Sequence, residues 1–245
     1  MPLRLSNILL IAAIIMGVIF LSGLGTWQLQ RLAWKEGLIE RVKNNLSAPP
    51  VPLTEIESLQ EDGADIEYRP VQLSATFDHG REQHFFATHK SNPGYFVYTP
   101  ATLSDGRVLF VNRGYVPLQR KAADGRAEGQ VAGQVDIVGL ARTAPTAKPN
   151  SFVPENDLAK NVYHWKSLTQ MTTQAFPEGG VTTLPFFVDA NDSPNPGGLP
   201  QGGVTLIQFP NSHLHYALTW FGLAGALLVV GGYFLFGRLR QKSSL

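Results

Sequence analysis

Two long apolar segments lie near the two ends of this chain. Ile8 to Leu24 and Tyr216 to Phe236 contain no charged residue. A helix rises about 1.5 Å per residue, so each segment can cross a hydrocarbon core about 30 Å thick. Trp27 and Arg31 follow the first segment, an aromatic residue and a cation of the kind found at a membrane surface. The pattern therefore predicts two transmembrane helices.

Good helix formers continue the first helix past the membrane to about Asn45. Arg4 before an apolar run also fits a cleaved signal peptide. The run is long for a signal core, however, and no good Ala-x-Ala cleavage site follows it. We therefore expect a retained helix, with Trp27, Arg31 and Trp34 on one face because they are spaced i, i+4 and i+7.

The distribution of charge predicts the orientation of the chain. All 19 acidic residues lie between the two apolar segments, whereas the short tails carry only the basic residues Arg4, Arg238, Arg240 and Lys242. Short basic tails stay in the cytoplasm, so the intervening chain of about 180 residues is expected in the periplasm as one domain. No Arg- and Ser-rich leader is present, which favours a multi-pass protein of the bacterial inner (plasma) membrane. The predicted divisions are 1–7 as a cytoplasmic tail, 8–27 as the first transmembrane helix, 28–212 as the periplasmic domain, 213–236 as the second transmembrane helix and 237–245 as a basic cytoplasmic tail.

Between the helices, apolar and polar residues alternate with a period of two in short segments that end in turn residues. Closely spaced strands of this kind are typical of an antiparallel sheet or a small barrel. Val108–Val111 is apolar without alternation, so this strand is expected to be central and covered on both faces. The fold class is therefore a membrane α+β protein, in which two transmembrane helices flank a mostly antiparallel β domain outside the cytoplasm. The predicted strands are Tyr68–Phe77, Gln83–His89, Tyr95–Leu103, Arg107–Val116, Gln134–Arg142, Leu184–Ala190 and Val204–Phe209.

Turn and helix signals separate these strands. Asn92–Gly94 predicts a turn. Thr54 and Glu57 match the capping box that opens a short helix, and Trp165–Phe176 predicts a second short helix. Ser193–Gly203 is too rich in proline and glycine for a core element, so it is predicted to be a mobile contact arm.

Composition and motifs narrow the function. The net charge of +1 makes a nucleic-acid partner unexpected, and the lack of cysteine excludes disulfides, thiolate metal sites and covalently attached haem. Gly-x-Ser-x-Gly, phosphate-loop and His-Glu-x-x-His motifs are absent, so we predict no enzymatic activity. A membrane-anchored hydrolase would need a close pair of carboxylates, and Asp189 and Asp192 are instead expected to be solvated loop charges.

Six histidines are candidate ligands. His79, His84 and His89 lie in or beside one hairpin at odd spacings, which place neighbours on opposite faces of a strand, so a shared metal is not expected. His213 and His215 lie at the mouth of the second transmembrane helix. Residues two apart on a helix point about 200° away from each other, so these two rings cannot easily hold one ion.

His213 shares its helix face with an aromatic wall and one small residue. This combination suits a flat iron porphyrin better than a bare ion. An antiparallel first helix brings two cations to the same membrane surface, where they could neutralise propionates. The competing interpretation is an interfacial aromatic belt with a histidine that reaches toward water. The residues concerned are Tyr216, Ala217 and Trp220 beside His213, and Trp27, Arg31, Trp34 and Lys35 on the first helix.

Five sequence blocks occur in a characteristic order, namely Gly25–Lys35, Tyr68–Val71, Gly94–Pro100, Val111–Pro117 and His213–Trp220. Together they resemble the surfeit locus protein (Shy/Surf) family of cytochrome c oxidase assembly factors over nearly the whole chain. The chain departs from the family pattern at three positions: Tyr115 stands where Trp is common, Ala75 where Gly is common, and His215 occupies a variable position.

The resemblance implies a factor that helps to place haem a into the catalytic subunit of a haem-copper oxidase, with His213 as the iron ligand. Haem a is then a transient cargo, and the expected partners are the oxidase catalytic subunit, the membrane and, as a further candidate, haem a synthase. In this hypothesis Tyr216 and Trp220 wall the ring, Arg31 and Lys35 hold the propionates, and Trp27 and Trp34 belong to the same surface. The alternative hypothesis is a membrane scaffold that stabilises the oxidase core subunit without binding haem.

Overall fold

The computed structural model describes residues 5–205, 207 and 209–240. The chain divides into a helical unit, Met1–Arg41 with Gln208–Leu245, and a β-rich unit, Val42–Ile207. The helices are α1 (Leu5–Ser47), α2 (Leu53–Glu61), α3 (Leu168–Ala175) and α4 (His213–Arg240). The strands are β1 (Val51–Pro52), β2 (Pro70–Phe77), β3 (Gln83–His89), β4 (Asn92–Thr102), β5 (Val108–Pro117), β6 (Gln134–Thr143), β7 (Val162–Tyr163) and β8 (Thr183–Ala190).

Both apolar segments are helical, and α1 and α4 are long and apolar enough to cross a membrane. Their large apolar side chains point away from the protein, as Ile19 and Val229 do at 67% and 72% exposure. In lipid a helix satisfies its own backbone hydrogen bonds, and apolar side chains on its outside are favourable there. The architecture is thus that of the expected α+β membrane protein.

Glycines allow α1 and α4 to pack closely within the helical unit. A Cβ atom built on Gly17 would lie 2.8 Å from Leu227 Cδ2, and one built on Gly25 would lie 2.7 Å from the Phe221 ring. Real side chains do not approach so closely, so the Leu227 or Phe221 side chain would have to shift to admit a Cβ atom at these two positions. On α4 the facing stripe includes Ala217, which is 1% exposed. Small residues at a helix interface are typical of membrane proteins.

The β-rich unit contains a small barrel. Eight strands form one sheet in the order β1-β2-β6-β8-β5-β4-β3-β7, and β2 also pairs with β4. The strands β2, β6, β8, β5 and β4 therefore close into a ring, which is joined by the residue pairs Thr76–Thr102 and Phe77–Ala101. The β5–β8 pair is parallel, and the other four pairs of the ring are antiparallel. The prediction of a mostly antiparallel β domain is confirmed.

The two faces of β5 pack into different apolar cores. Leu109 and Val111 belong to one core, which includes strand residues around the ring and Ile56 of α2. Val108 and Phe110 belong to the other, which includes residues of α3. Alternate side chains of a strand point to opposite faces, so a strand between two cores is apolar at every position. The prediction that this strand is covered on both faces is confirmed.

Most predicted strands are confirmed with shifted ends, and one is wrong. Tyr68 has a φ of +61° and precedes β2, which starts at Pro70. The predicted strand at Val204–Phe209 is not present in its described residues, and Leu206 and Gln208 lie outside them. Thr205 lies outside the strands, and its hydroxyl donates a hydrogen bond to Asp189 Oδ2 at 3.0 Å.

Two local predictions, a turn and a helix cap, are wrong. The residues Asn92–Gly94, predicted as a turn, begin β4, and the chain reverses at Lys90 and Ser91, whose φ angles are +48° and +67°. The predicted capping box does not form, because α2 begins after the N-cap Pro52, which has no side chain to cap it. The carboxylate of Glu57 instead accepts a hydrogen bond from Arg107 Nη2, 3.2 Å away.

The glycine- and proline-rich loop Ser193–Gly203 is fastened to β5 rather than free. The Tyr115 and Gln201 backbones exchange two hydrogen bonds, of 2.8 and 2.9 Å. A Cβ on Gly114 would lie 1.9 Å from Gln201 O, and its φ of +125° is also a glycine conformation. The expected contact arm is therefore part of the β-rich unit. The helix predicted at Trp165–Phe176 is confirmed as the shorter α3.

Candidate functional site

His213 is the first residue of α4, and its ring is held by the first helix. The Asn211 Oδ1 atom accepts a hydrogen bond from the His213 backbone N–H at 3.4 Å, which orients the start of the helix. The His213 Nδ1 atom lies 2.7 Å from Oε1 of Gln28 in α1. Gln28 is 9% exposed and His213 is partly buried, so this polar contact lies against the packed helix pair.

The contact with Gln28 fixes which ring nitrogen of His213 carries the proton. An amide oxygen only accepts hydrogen bonds, so Nδ1 must donate to it. In the neutral ring Nε2 then has a free lone pair, which is the form of imidazole that binds a metal. A hydrogen bond of this kind on the remote nitrogen is what orients metal-binding histidines in proteins. His213 could therefore bind a metal ion through Nε2.

His215 has different surroundings. Its ring is exposed and packs edge-on against Tyr216, with ring centroids 6.2 Å apart. Tyr216 therefore contacts His215, whereas helical spacing predicts that it shares a face with His213. Trp220 is partly buried and lies seven residues beyond His213, two turns along the same helix face. The structure distinguishes the two imidazoles, because only His213 bonds to α1 among the described contacts.

Trp27, Arg31 and Trp34 form one cluster, as their spacing predicts. The Arg31 guanidinium lies 6.0 Å from the Trp27 ring centroid and 5.0 Å from that of Trp34. The two indole rings are 50% and 55% exposed. Measured around the helix axis, they lie about 100° and 120° from Gln28, whereas Lys35 lies within about 20° of it. Lys35 therefore shares the Gln28 face, and the aromatic cluster occupies the neighbouring face.

Gln28 is the site residue that the sequence did not single out. The sequence contains a hint, because Gln28 follows the apolar run of α1 closely, and a buried glutamine there is unusual. It lies one turn after Gly25, which touches the facing helix. The position of Gln28 on α1 could not identify His213 as its partner, because this pairing depends on the register between α1 and α4.

The histidines of the β-rich unit are separate from one another. His79 Nε2 donates to Val131 O at 2.9 Å, His84 Nε2 lies 3.2 Å from Glu82 Oε1, and His89 packs on the Tyr115 ring. Within residues 5–205, 207 and 209–240, no group of three or more His, Asp or Glu side chains could hold a metal ion. These three rings are thus accounted for by their own local contacts.

Asp189 is buried, contrary to the expectation of a solvated loop charge. It is 3% exposed and accepts hydrogen bonds from Arg142, Asn112 and Thr205 at 2.7 to 3.0 Å. Burial opposes its ionisation, but Lys166 and Arg142 outweigh this effect and hold the pKa of Asp189 below its usual value. A buried carboxylate with these partners contributes to the fold. Asp192 is exposed, as expected.

Comparison with known proteins identifies the family of this chain. The SURF1 family model matches residues 15–225. The chain is 37% identical to human Surfeit locus protein 1 over 222 residues, covering 83% of this chain and 70% of the relative. It is 35% identical to the Takifugu rubripes Surfeit locus protein 1, covering 83% of this chain and 88% of the relative. A SURF1-like protein of Drosophila melanogaster is 31% identical over 223 residues, covering 83% and 70%. With a match over most of its length, the chain belongs to the SURF1 family.

Proposed function

We propose that this protein assists the assembly of a haem-copper oxidase by binding haem a at His213 and passing it to the oxidase catalytic subunit. Haem a synthase is the source from which the cargo would be received. Membership of the SURF1 family supports the assembly role. The 2.7 Å contact between His213 Nδ1 and Gln28 Oε1 is the observation that supports the haem site. Haem a is cargo in this role, so the protein needs no catalytic residue.

The donor set of the helical unit fits this cargo. Imidazole is a common axial ligand of haem iron, and Gln28 leaves Nε2 of His213 as the ligating atom. His215, by contrast, packs on Tyr216 and, among the residues that the structure describes, has no comparable orienting bond to the first helix. The flat ring of a porphyrin also requires apolar walls, which Trp220 and Tyr216 supply on the same helix.

The cations of α1 fit the propionate groups. Arg31 keeps its guanidinium at the surface, flanked by the Trp27 and Trp34 rings, and a guanidinium can donate two parallel hydrogen bonds to a carboxylate. Lys35 lies on the Gln28 face of the helix, so it approaches the site from the His213 side. Both residues hold the cargo by charge and release it without breaking a covalent bond.

A pair of histidine variants tests the haem site. His213→Ala and His215→Ala would be expressed with haem a biosynthesis, purified in detergent and analysed for haem content and the Soret spectrum. We expect His213→Ala to lose at least about 90% of its haem, because the axial ligand of the iron is removed. His215→Ala, the matched control, should keep it. An unchanged Soret band in His213→Ala would refute the assignment.

The same experiment separates the haem chaperone from a scaffold. If the wild-type protein purifies with the oxidase catalytic subunit but carries no haem a, the haem role is wrong and the scaffold role is correct. The proposed setting is the bacterial inner membrane with the β-rich unit in the periplasm. The acid-free basic tails support that orientation.

A further inference from the structure

A cleft in the β-rich unit lies between strand β6, the end of β8 and the loop that follows β8. Its cavity volume is about 190 Å³. Its walls are largely apolar, from Val135, Val138, Pro194 and Pro196. Engineered cavities of about 150 Å³ hold a benzene molecule, so this cleft accepts one or two side chains but excludes a macrocycle. It is therefore a site of a different kind from the one at His213.

Arg113 of β5 borders this cleft and is almost completely buried, at 3% exposure. Its guanidinium donates to Gly129 O at 2.5 Å, to Asn195 Oδ1 at 3.3 Å and to His79 Nδ1 at 3.2 Å. The Phe77 ring lies 4.8 Å from its central carbon. All four partners are neutral, since the His79 ring accepts at Nδ1 while its Nε2 donates to a backbone carbonyl.

No carboxylate compensates the charge of Arg113. In the part of the chain that the structure describes, Arg113 takes part in none of the ion pairs. Glu82, the acid that influences it from a distance, is bonded to Arg126 and His84. Burial, together with Arg126, lowers the pKa of Arg113 to about 10. A buried cation without a counter-charge is unfavourable by several kcal/mol, roughly, and an anion that reaches it through the cleft would remove that cost.

The lining of the cleft also includes a carboxylate. Asp136 lines it and accepts a hydrogen bond from Ser74. A ligand with one carboxylate for Arg113 and N–H donors for Asp136 satisfies both charged residues. Peptides have this arrangement, because each acidic side chain is flanked by backbone N–H groups. A simple fatty acid or an inorganic anion could bond to Arg113, but it has no N–H group to donate to Asp136.

We propose that this cleft binds an acidic peptide segment of a partner protein, with a Glu or Asp carboxylate bonded to Arg113 and an apolar neighbour packed on Val138. Asn195 connects Arg113 to the loop above the cleft, so the loop and the cation are positioned together. The site requires no haem, and its test is independent of the haem proposal.

Two matched dipeptides test the site on the full chain in detergent at pH 7, by isothermal titration calorimetry. The probes are acetyl-Val-Glu-amide and acetyl-Val-Gln-amide, which differ only in the charge of one side chain. We expect the Glu peptide to bind at least about tenfold more tightly than the Gln peptide. Equal affinities would overturn the proposal, as would dissociation constants above about 10 mM for both.

Variants locate the binding within the protein. Arg113→Gln should abolish the preference for the Glu peptide, but it also removes bonds that hold the fold. Val138→Trp keeps those bonds and fills the cleft, because Val138 is 37% exposed at its wall. We expect Val138→Trp to weaken Glu-peptide binding at least about tenfold with an unchanged Tm, while the size-matched Val138→Thr binds as wild type. Undiminished binding to Val138→Trp would refute the site.

Discussion

Gln28→Leu is the sharpest test of the haem site that we propose at His213. Leucine resembles glutamine in size but offers no oxygen, so His213 Nδ1–H loses its acceptor 2.7 Å away. Gln28 is buried at 9% exposure, so water replaces the lost oxygen poorly. The ring is then free to adopt the other tautomer and to rotate. Both changes reduce the fraction of molecules in which Nε2 can reach an iron.

The size of the effect follows from the hydrogen bond and its metal-orienting role. A neutral intramolecular hydrogen bond contributes about 0.5–1.5 kcal/mol net. Loss of a bond that orients a metal ligand typically weakens metal binding about 10–100-fold. We therefore expect the haem a affinity of Gln28→Leu to fall about 10–30-fold, equivalent to about 1.4–2 kcal/mol. Gln28→Glu keeps an acceptor oxygen and should lose less.

Two measurements check this prediction. Haem titration gives the affinity, and nitrogen-15 NMR of the haem-free protein reports which ring nitrogen of His213 is protonated. The control is Gln30→Leu, the same change at an exposed position two residues away. The reasoning is wrong if wild-type His213 carries its proton on Nε2, or if Gln28→Leu binds haem within about twofold of wild type. If the wild-type protein itself does not bind haem a, the proposed function is overturned instead.

Three further predictions concern the packing, orientation and fold. Gly25→Leu should destabilise the helix pair by about 1–3 kcal/mol in denaturant titrations, whereas Gly23→Leu, with nothing within 4 Å, should not. Because the chain has no native cysteine, Ser104→Cys should react with an impermeant maleimide added from the periplasm, and Ser243→Cys should not; the reverse result would invert the topology. Asp189→Asn should lower unfolding stability by about 3 kcal/mol at pH 7. The pKa of Asp189 is depressed, so wild type keeps this stability above about pH 4 and loses it at lower pH, which makes the two proteins converge in acid.

The sequence predicted what depends on regular periodicity. The apolar runs gave α1 and α4, and alternation gave the strands, because both patterns follow directly from which face is buried. The double coverage of β5 was readable from Val108–Val111 for the same reason. Closure of the ring could not be predicted from the sequence, since it depends on only two residue pairs between β2 and β4.

Local chemistry with several possible partners was less predictable. Thr54 and Glu57 have the capping spacing, but Glu57 bonds to Arg107, fifty residues away, and the helix begins at Leu53, after the N-cap Pro52. Asp189 looked like a loop charge because Arg142, its partner, is far from it in sequence. At the candidate site, the position of His213 at the helix mouth made it a candidate ligand, and that role stays a prediction. Gln28 could not be identified from the sequence, because its role arises only from the register of two helices.

The short join between β2 and β4 gives the barrel a seam. Only Thr76–Thr102 and Phe77–Ala101 pair across it, whereas β2 and β6 pair over seven residues. Local opening breaks the fewest backbone hydrogen bonds where a ladder is shortest. We therefore expect the ring to open locally between β2 and β4 before it unfolds elsewhere. A cavity of about 150 Å³ already lies beside Thr76 and Thr102. Strands β2 and β4 can therefore separate at this seam while the longer ladders stay intact, among them the eight residue pairs that join β4 to β5.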